Sequence, residues 1–286
     1  MCNELNPIGI GTYKLDLDNK IKTLEGLLHS YYSSQNFIST SLMYDNGLVV
    51  DFLANFLDKV DREKIFVMSH LEAYISKKED VEKQVDEYLK RMNLEYIDSV
   101  QVHTGYVTKI PLLDTYEQIN KLIEKGKVKY LSVSNVNLEQ LKELTRNFKI
   151  FSFEGVYNLE CKIYENIGLI DYCKQNEIKF ICYQALRRNK IAEKNYPFLL
   201  EMVNKYNKTQ NQILLNWIIK EKGLKALIKT TNIERIDENL DAVNFKLDKE
   251  DITILNEFQN EKFNSVEIDW ENNGGITIDK LASQNF

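Results

Sequence analysis

Two of the three histidines in this sequence follow short apolar runs of the kind that form buried strands. His70 follows the run Ile65–Ser69, and His103 follows the run Ile97–Val102. An imidazole titrates near neutral pH, so it can exchange a proton with a reacting group or ligate a metal ion. A single histidine at a strand end is more often structural. Two of them at consecutive strand ends favour a shared catalytic role, whereas His29 falls within a predicted helix.

Metal binding by the same pair is the weaker interpretation, because a stable site needs a third protein ligand and none is evident. The cysteines are scattered and form no C-x-x-C pair: Cys2, Cys161, Cys173 and Cys182. This pattern disfavours a disulfide framework and a structural zinc site. It is typical of reduced thiols in the cytosol. We therefore expect no metal ion and a cytoplasmic location.

The elements that would position these side chains alternate along the chain. Short apolar runs predict eight strands, near Ile8–Tyr13, Phe37–Thr40, Ile65–Ser69, Ile97–Val102, Val128–Val133, Ile150–Val156, Ile178–Tyr183 and Leu224–Ile228. Segments with helical periodicity follow them, near Lys20–Ser33, Leu48–Val60, Glu79–Met92, Thr115–Lys125, Leu138–Arg146, Ile163–Gln175, Thr209–Lys222 and Glu234–Ala242. Two further helices are predicted near Tyr196–Tyr206 and Lys249–Glu261.

Eight strands that each precede a helix predict an α/β fold, a (β/α)8 TIM barrel, in which the loops after the strands converge at one face. Some helix ends have a local explanation. Thr209 and Gln212 form a capping-box pattern, Asn137 is a candidate N-cap, and Gly126 is a candidate helix stop. We expect one domain over residues 1–286, with Phe263–Phe286 as an irregular C-terminal tail.

Composition narrows the class of protein. The 286 residues are 43% hydrophobic and 28% charged, which is ordinary for a globular chain. With 37 basic and 43 acidic residues, the net charge is −6 and no basic stripe indicates nucleic-acid binding. The N-terminus lacks the pattern of a secretory signal, and no apolar run is long enough to cross a membrane. We expect a small-molecule substrate, and the oligomeric state stays open.

Six segments, in order, resemble the aldo-keto reductase family. GIGTY resembles its first strand, G-x-G-T-W/Y, and FISTSLMYDNG resembles D-T-A-x-x-Y-G-N-E. The family segment that ends in its histidine is resembled by YLKRMNLEYIDSVQVH, and the segment that ends in its S-N pair by GKVKYLSVSN. The strand with the nicotinamide aromatic is resembled by ICYQAL, and the phosphate-binding loop by LIKTTNIERIDEN. The register is kept from Ile8 to about Phe258. The resemblance implies a barrel that binds an extended nicotinamide dinucleotide without a Rossmann motif.

The resemblance assigns cofactor contacts to ten positions. Lys229, Thr230 and Arg235 match the residues that hold the 2′-phosphate of NADPH, where a guanidinium offers a planar fork of donors. The other matches are Asn239 for adenine, Tyr183 for stacking on nicotinamide, Ser134, Asn135 and Glu154 for its carboxamide, and Gly11 and Thr12 for close backbone approach. NADPH is thus favoured over NADH. The alternative is that Lys229 and Arg235 are ordinary solvated cations.

Two departures affect this cofactor half. Glu154 stands where the family has Gln, and a carboxylate accepts from an amide NH₂ but cannot donate to its carbonyl. The usual S-P-L turn reads Gln184, Ala185, Leu186, so the pyrophosphate contacts are expected to differ.

The catalytic half departs further. The resemblance implies that Tyr44 is the general acid and that His103 occupies the family's histidine position. Ser39 stands at the family's Asp and His70 at its Lys. A lysine beside a phenol is a permanent cation, whereas an ordinary histidine is mostly neutral near pH 7, and Ser39 brings no charge to keep it protonated. We expect activation of Tyr44 to be lost or pH-dependent, with a Tyr44–His70–His103 proton relay remaining chemically reasonable.

Three functions are consistent with these positions. The first is an NADPH-dependent oxidoreductase that reduces a carbonyl or another polarised double bond through Tyr44. The second is a pseudoenzyme that binds NADPH as a sensor or partner-binding subunit, and the third is isomerisation or elimination without net redox change. The substrate cannot be read, because the family selects it through loops and the tail, here Thr104–Tyr106 and Asn264–Phe286.

Overall fold

Eight parallel strands close into a barrel in the order in which they occur in the chain. The computed structural model describes residues 4–71, 75, 77–103 and 110–261. The first strand pairs with both the second and the last, which closes the sheet. The predicted TIM barrel is therefore confirmed. Its strands are β1 Ile8–Gly11, β2 Phe37–Ser41, β3 Phe66–Leu71, β4 Ile97–Val102, β5 Val128–Ser134, β6 Ile150–Val156, β7 Lys179–Tyr183 and β8 Lys225–Ile228.

Helices cover the outside of the barrel. In the described part of the chain they are α1 Lys20–Tyr32, α2 Leu48–Leu57, α3 Glu79–Met92, α4 Leu112–Glu124, α5 Leu138–Asn147, α6 Ile163–Asn166, α7 Leu169–Gln175, α8 Lys190–Glu193, α9 Pro197–Tyr206, α10 Gln210–Asn216, α11 Ile233–Asp241 and α12 Lys249–Glu257. None of them is long and apolar enough to cross a membrane. The predicted tail Phe263–Phe286 lies outside the described residues.

Most helix ends agree with the local sequence signals. Capping boxes form at Thr209 and at Asn137, and the backbone of Gly126 is left-handed with φ +74°. The prediction of one helix over Ile163–Gln175 is wrong. Gly168 has φ +75°, a conformation that ends α6 and begins α7 at no steric cost to glycine.

The barrel interior changes from apolar to polar along its axis. Near the N-terminal ends of the strands, a floor is formed by six buried side chains: Leu5, Phe37, Phe66, Met68, Ile181 and Leu227. Above this floor the Ser132 hydroxyl is hydrogen-bonded to Ser99 and, at 2.7 Å, to Ser152. The second and larger core lies between the strands and the surrounding helices. The polar interior therefore begins below the face at which the strands end.

A buried lysine secures the C-terminal end of α12. Lys162 is 4% exposed, and its Nζ donates to the carbonyl oxygens of Leu255 at 2.9 Å, Asn256 at 2.7 Å and Phe258 at 2.8 Å. The last carbonyls of a helix lack partners within the helix, so these three bonds satisfy them. Burial lowers the pKa of Lys162 to about 8, which leaves the ammonium protonated at pH 7.

Replacing Lys162 by Met is expected to lower the free energy of unfolding by about 2–3 kcal/mol, because three donors to buried carbonyls are lost together. Urea denaturation followed by circular dichroism measures the change. Lys174→Met, at an exposed position on α7, is the matched control and should have little effect. Equal stability of the Lys162 variant and the wild type would show that relief of the buried charge offsets the lost bonds.

Candidate active site

The segment that carries Tyr44 is locked between β2 and the helix layer. The Tyr88 hydroxyl, from α3, accepts from the Leu42 backbone N–H at 2.8 Å and donates to the His70 carbonyl at 2.6 Å. One buried side chain thus ties the residues just before Tyr44 to β3. The ring of Tyr44 meets the ring of Tyr13 edge-on, with centroids 5.2 Å apart.

The backbone after Tyr44 is left-handed at three successive residues. The φ angles of Asp45, Asn46 and Gly47 are 47°, 53° and 86°. Gly47 is required for a second reason, since a Cβ there would lie 2.3 Å from the guanidinium of Arg91. That guanidinium is held by the Asp51 carboxylate at 2.7 and 2.9 Å, so it cannot easily move away. The turn therefore has a defined position at the top of the barrel.

The two predicted strand-end histidines are brought together. Their rings stack with centroids 5.3 Å apart and an interplanar angle of 23°. His70 is the fifth residue of β3 and is 2% exposed, while His103 comes directly after β4. Neighbouring parallel strands end side by side, which is why two histidines separated in sequence share one site.

Glu154 is the centre of a buried polar network at the same face. Its carboxylate lies 3.3 Å from His70 Nε2, accepts from the Ser39 hydroxyl at 3.2 Å and accepts from Gln101 Nε2 at 2.9 Å. Ser39 Oγ is also 3.4 Å from His70 Nε2. The network joins β2, β3, β4 and β6 across the barrel interior. Gln101 was not among the predicted site residues, although its place two residues before His103 on β4 is a usable signal.

The charge on Glu154 is stabilised by its partners. Burial opposes ionisation of this carboxyl, but the charge and hydrogen bond of His70, the bond from Gln101 and the charge of His103 outweigh it and hold the pKa of Glu154 below its usual range. The sequence predicts no charge beside His70 from Ser39, and it does not reveal the charged partner at Glu154. Ser39 does not supply the negative charge, but Glu154 does, from a strand on the other side of the barrel.

Asn135 organises the predicted nicotinamide side of the site. Its backbone is left-handed, with φ 52°, and its Oδ1 accepts from the hydroxyls of Tyr183 at 3.0 Å and Tyr164 at 3.2 Å. Its Nδ2 donates to the His103 carbonyl at 3.1 Å. Beside it, the Ser134 hydroxyl is buried and has no partner among the described residues. Tyr164, on α6, is a member of this group that sequence reasoning missed.

The loop after Tyr183 is held by a buried ion pair. Gln184, Arg187, Arg188 and Asn189 all have positive φ angles, from 46° to 73°. The Arg187 guanidinium, 1% exposed, is bonded to the Glu160 carboxylate, which is also bonded by Lys194 Nζ at 2.5 Å and by the Tyr196 hydroxyl at 2.6 Å. This network holds the residues that directly follow Gln184, Ala185 and Leu186.

The predicted phosphate-binding residues lie together at the junction of β8 and α11. Lys229 and Arg235 are exposed, and neither contacts a carboxylate within the part of the chain that the structure describes. Thr230 Oγ1 accepts from the Asn232 N–H at 3.2 Å, and Asn232 Oδ1 caps α11 at the Arg235 N–H. Two cations beside a helix N-terminus suit an anion.

The remaining predicted contacts have simpler surroundings. Asn239 is buried on α11, Gly11 ends β1 against Lys229, and the Thr12 hydroxyl donates to the Ser39 carbonyl at 2.8 Å. Within residues 4–71, 75, 77–103 and 110–261, no cluster of three or more His, Cys, Asp or Glu side chains could hold a metal ion. Thr104–Tyr106 and Asn264–Phe286, the predicted substrate-selecting segments, fall outside these ranges.

Comparisons of sequence and of structure with known proteins indicate the same family. The model of the aldo/keto reductase family matches residues 7–260. Aldo-keto reductase family 1 member C18 of Mus musculus is 30% identical over 280 residues, which cover 87% of this chain and 86% of that protein. Estradiol 17 beta-dehydrogenase 5 of Mus musculus is 28% identical over 284 residues, with 87% of each protein covered.

Solved structures match the whole barrel. The thermostable aldo-keto reductase Tm1743, solved with the inhibitor epalrestat, has a TM-score of 0.84 and 25% identity, covering 89% of this chain and 95% of that one. The aldo-keto reductase AKR2E5, complexed with NADPH, has a TM-score of 0.78 and 25% identity, with coverages of 89% and 84%. Together with the family match over most of its length, these similarities show that the chain belongs to the aldo/keto reductase family.

Proposed function

We propose that this protein is an NADPH-dependent oxidoreductase that reduces a carbonyl, or a related polarised double bond, of a small molecule. The observation that carries the proposal is the convergence of the stacked His70 and His103, the Glu154 carboxylate and the Tyr44 segment at one end of the barrel. Family membership supplies the reaction class, and similarity to an NADPH complex supports the cofactor.

The residues present fit this cofactor. The buried Ser134 hydroxyl lacks a partner among the described side chains, which suits a hydrogen bond to a carboxamide. Tyr183 offers a half-buried ring that its bond to Asn135 holds in place. Lys229 and Arg235 offer two exposed cations for the 2′-phosphate. When bound, NADPH supplies the hydride.

Side chains of the protein then supply the proton that the reduction requires. Tyr44 donates it to the substrate oxygen as negative charge develops there. A free phenol has a pKa near 10, so donation and reprotonation near neutral pH benefit from a cation close by. In this site His70 is the proposed cation, where the family resemblance implies a lysine. His103, stacked on His70, orients the substrate oxygen.

NADPH consumption tests the proposal. Purified protein is expected to oxidise NADPH with at least one member of a panel of aldehydes, ketones and enones assayed between pH 5 and pH 9. Tight NADPH binding without oxidation of any member would instead support the pseudoenzyme. Product formed without net loss of NADPH would support isomerisation or elimination.

A further inference from the structure

Three side chains of this protein contact the Glu154 carboxylate. One oxygen faces His70 Nε2 at 3.3 Å, and the other accepts from Ser39 at 3.2 Å and from Gln101 at 2.9 Å. Its side chain is about 5% exposed. These three contacts fix the position of the buried carboxylate within the barrel interior.

A buried carboxylate requires a compensating positive charge. His70 is the partner in direct contact, and its own side chain is 3% exposed. The other titratable groups around the pair are His103, stacked on His70, and Cys182, on the strand beside β6. Burial raises the pKa of the Cys182 thiol, so it stays neutral. Tyr44, which also carries a titratable group, lies three residues after the end of β2. The negative charge of this group is therefore that of Glu154, and His70 lies directly against it.

We propose that Glu154 is a positioning residue that holds His70 as an imidazolium at the barrel face that carries Tyr44, so that the ion pair of this site joins β6 to β3. This inference rests on the proposed function. The family resemblance implies a pair between β2 and β3, at the positions of Ser39 and His70. Here Ser39 has only a small hydroxyl, so the carboxylate that pairs with His70 is that of Glu154, on β6 across the barrel. Gln101 binds the second oxygen of this carboxylate.

The contact also selects the reactive nitrogen of His70. Because Nε2 faces the carboxylate, the proton that the imidazolium can release is the one on Nδ1. That atom is buried and has no hydrogen-bond partner within the described part of the chain. In this proposal Glu154 is not the acceptor for the nicotinamide carboxamide, because His70, Ser39 and Gln101 already take three of its roughly four lone-pair positions.

The histidine count makes a direct test possible. With three histidines, a spectrum of the protein labelled in its imidazoles contains three sets of signals, which single His→Asn variants assign. In Glu154→Gln, we expect His70 to lose its proton at a pH lower by about one unit or more than in the wild type. His29, which pairs with Asp237 at 2.6 Å and not with Glu154, should titrate unchanged and is the internal control. An unchanged His70 titration overturns the proposal, whether or not the protein is a reductase.

Kinetics provide the second test. Glu154→Gln is expected to lower kcat for carbonyl reduction by about tenfold or more near pH 8 and to move the alkaline limb of the pH–rate profile to lower pH. The NADPH dissociation constant should stay within about twofold. Adding Ser39→Asp restores a carboxylate next to His70 and is expected to return the alkaline limb toward its wild-type position. Glu139→Gln, at an exposed acid on α5, is the matched control. Weaker NADPH binding with an unchanged profile assigns Glu154 to the carboxamide instead and overturns the proposal.

Discussion

Tyr44→Phe is expected to lower kcat/KM for NADPH-dependent carbonyl reduction by about 10²–10⁴-fold, the usual contribution of a general acid. The variant removes one hydroxyl and leaves the ring that packs against Tyr13. NADPH affinity should therefore be preserved, and the loss should fall on kcat. Steady-state rates of NADPH oxidation, with a separate binding titration, measure both quantities.

The control for this variant is Tyr32→Phe, since Tyr32 is an exposed tyrosine on α1 that lies outside the site. It loses the same hydroxyl without touching the barrel mouth, so its activity should equal that of the wild type. If Tyr44→Phe keeps more than half of the wild-type activity, Tyr44 is not the proton donor. His103 would then be the group to test next.

The second large effect concerns the cofactor. Lys229→Ala/Arg235→Ala should weaken NADPH binding by about 100-fold, with roughly tenfold from each charge-assisted contact to the 2′-phosphate. NADH, which lacks that phosphate, should lose no more than about threefold. The preference for NADPH over NADH should therefore nearly disappear. In the wild type the preference should also shrink with added salt, because both cations are exposed.

Fluorescence titration with each nucleotide at two ionic strengths measures these changes. Lys142→Ala/Arg146→Ala removes two cations from α5, away from the site, and controls for the change in net charge. Equal weakening of NADPH and NADH binding by the site variant would contradict the assignment of these residues to the 2′-phosphate.

The departures from the family pattern at Ser39, His70 and Glu154 can be understood together only in the folded protein. Ser39 and His70 alone suggest that an ion pair was lost, and Glu154 alone suggests a weakened carboxamide contact. In the barrel the carboxylate lies against the imidazole, so the interior keeps one acid and one base in contact. A buried acid without such a partner would be costly, which explains why these positions are chemically matched.

Local signals in the sequence were sufficient for much of the fold. The capping boxes at Thr209 and Asn137 depend on residues three apart, and they form as predicted. Strands β4 and β6 have the predicted bounds, because β-branched and aromatic residues recur along both segments. The failure at Gly168 came from a periodic pattern that runs through the break. The spacing of apolar residues alone does not reveal that a residue between them has a left-handed backbone conformation.

By itself, the sequence determined the class of fold, the order of its elements and the strand ends at which chemistry is expected, since each depends on periodicity and short-range spacing. His70 and His103 could be paired in advance because consecutive strands of a parallel barrel end side by side. Only the tertiary structure showed that Glu154 contacts His70 and Ser39, the latter 115 residues away. Closure of the barrel brings opposite strands within hydrogen-bonding distance, and no local pattern records which inward side chains meet there.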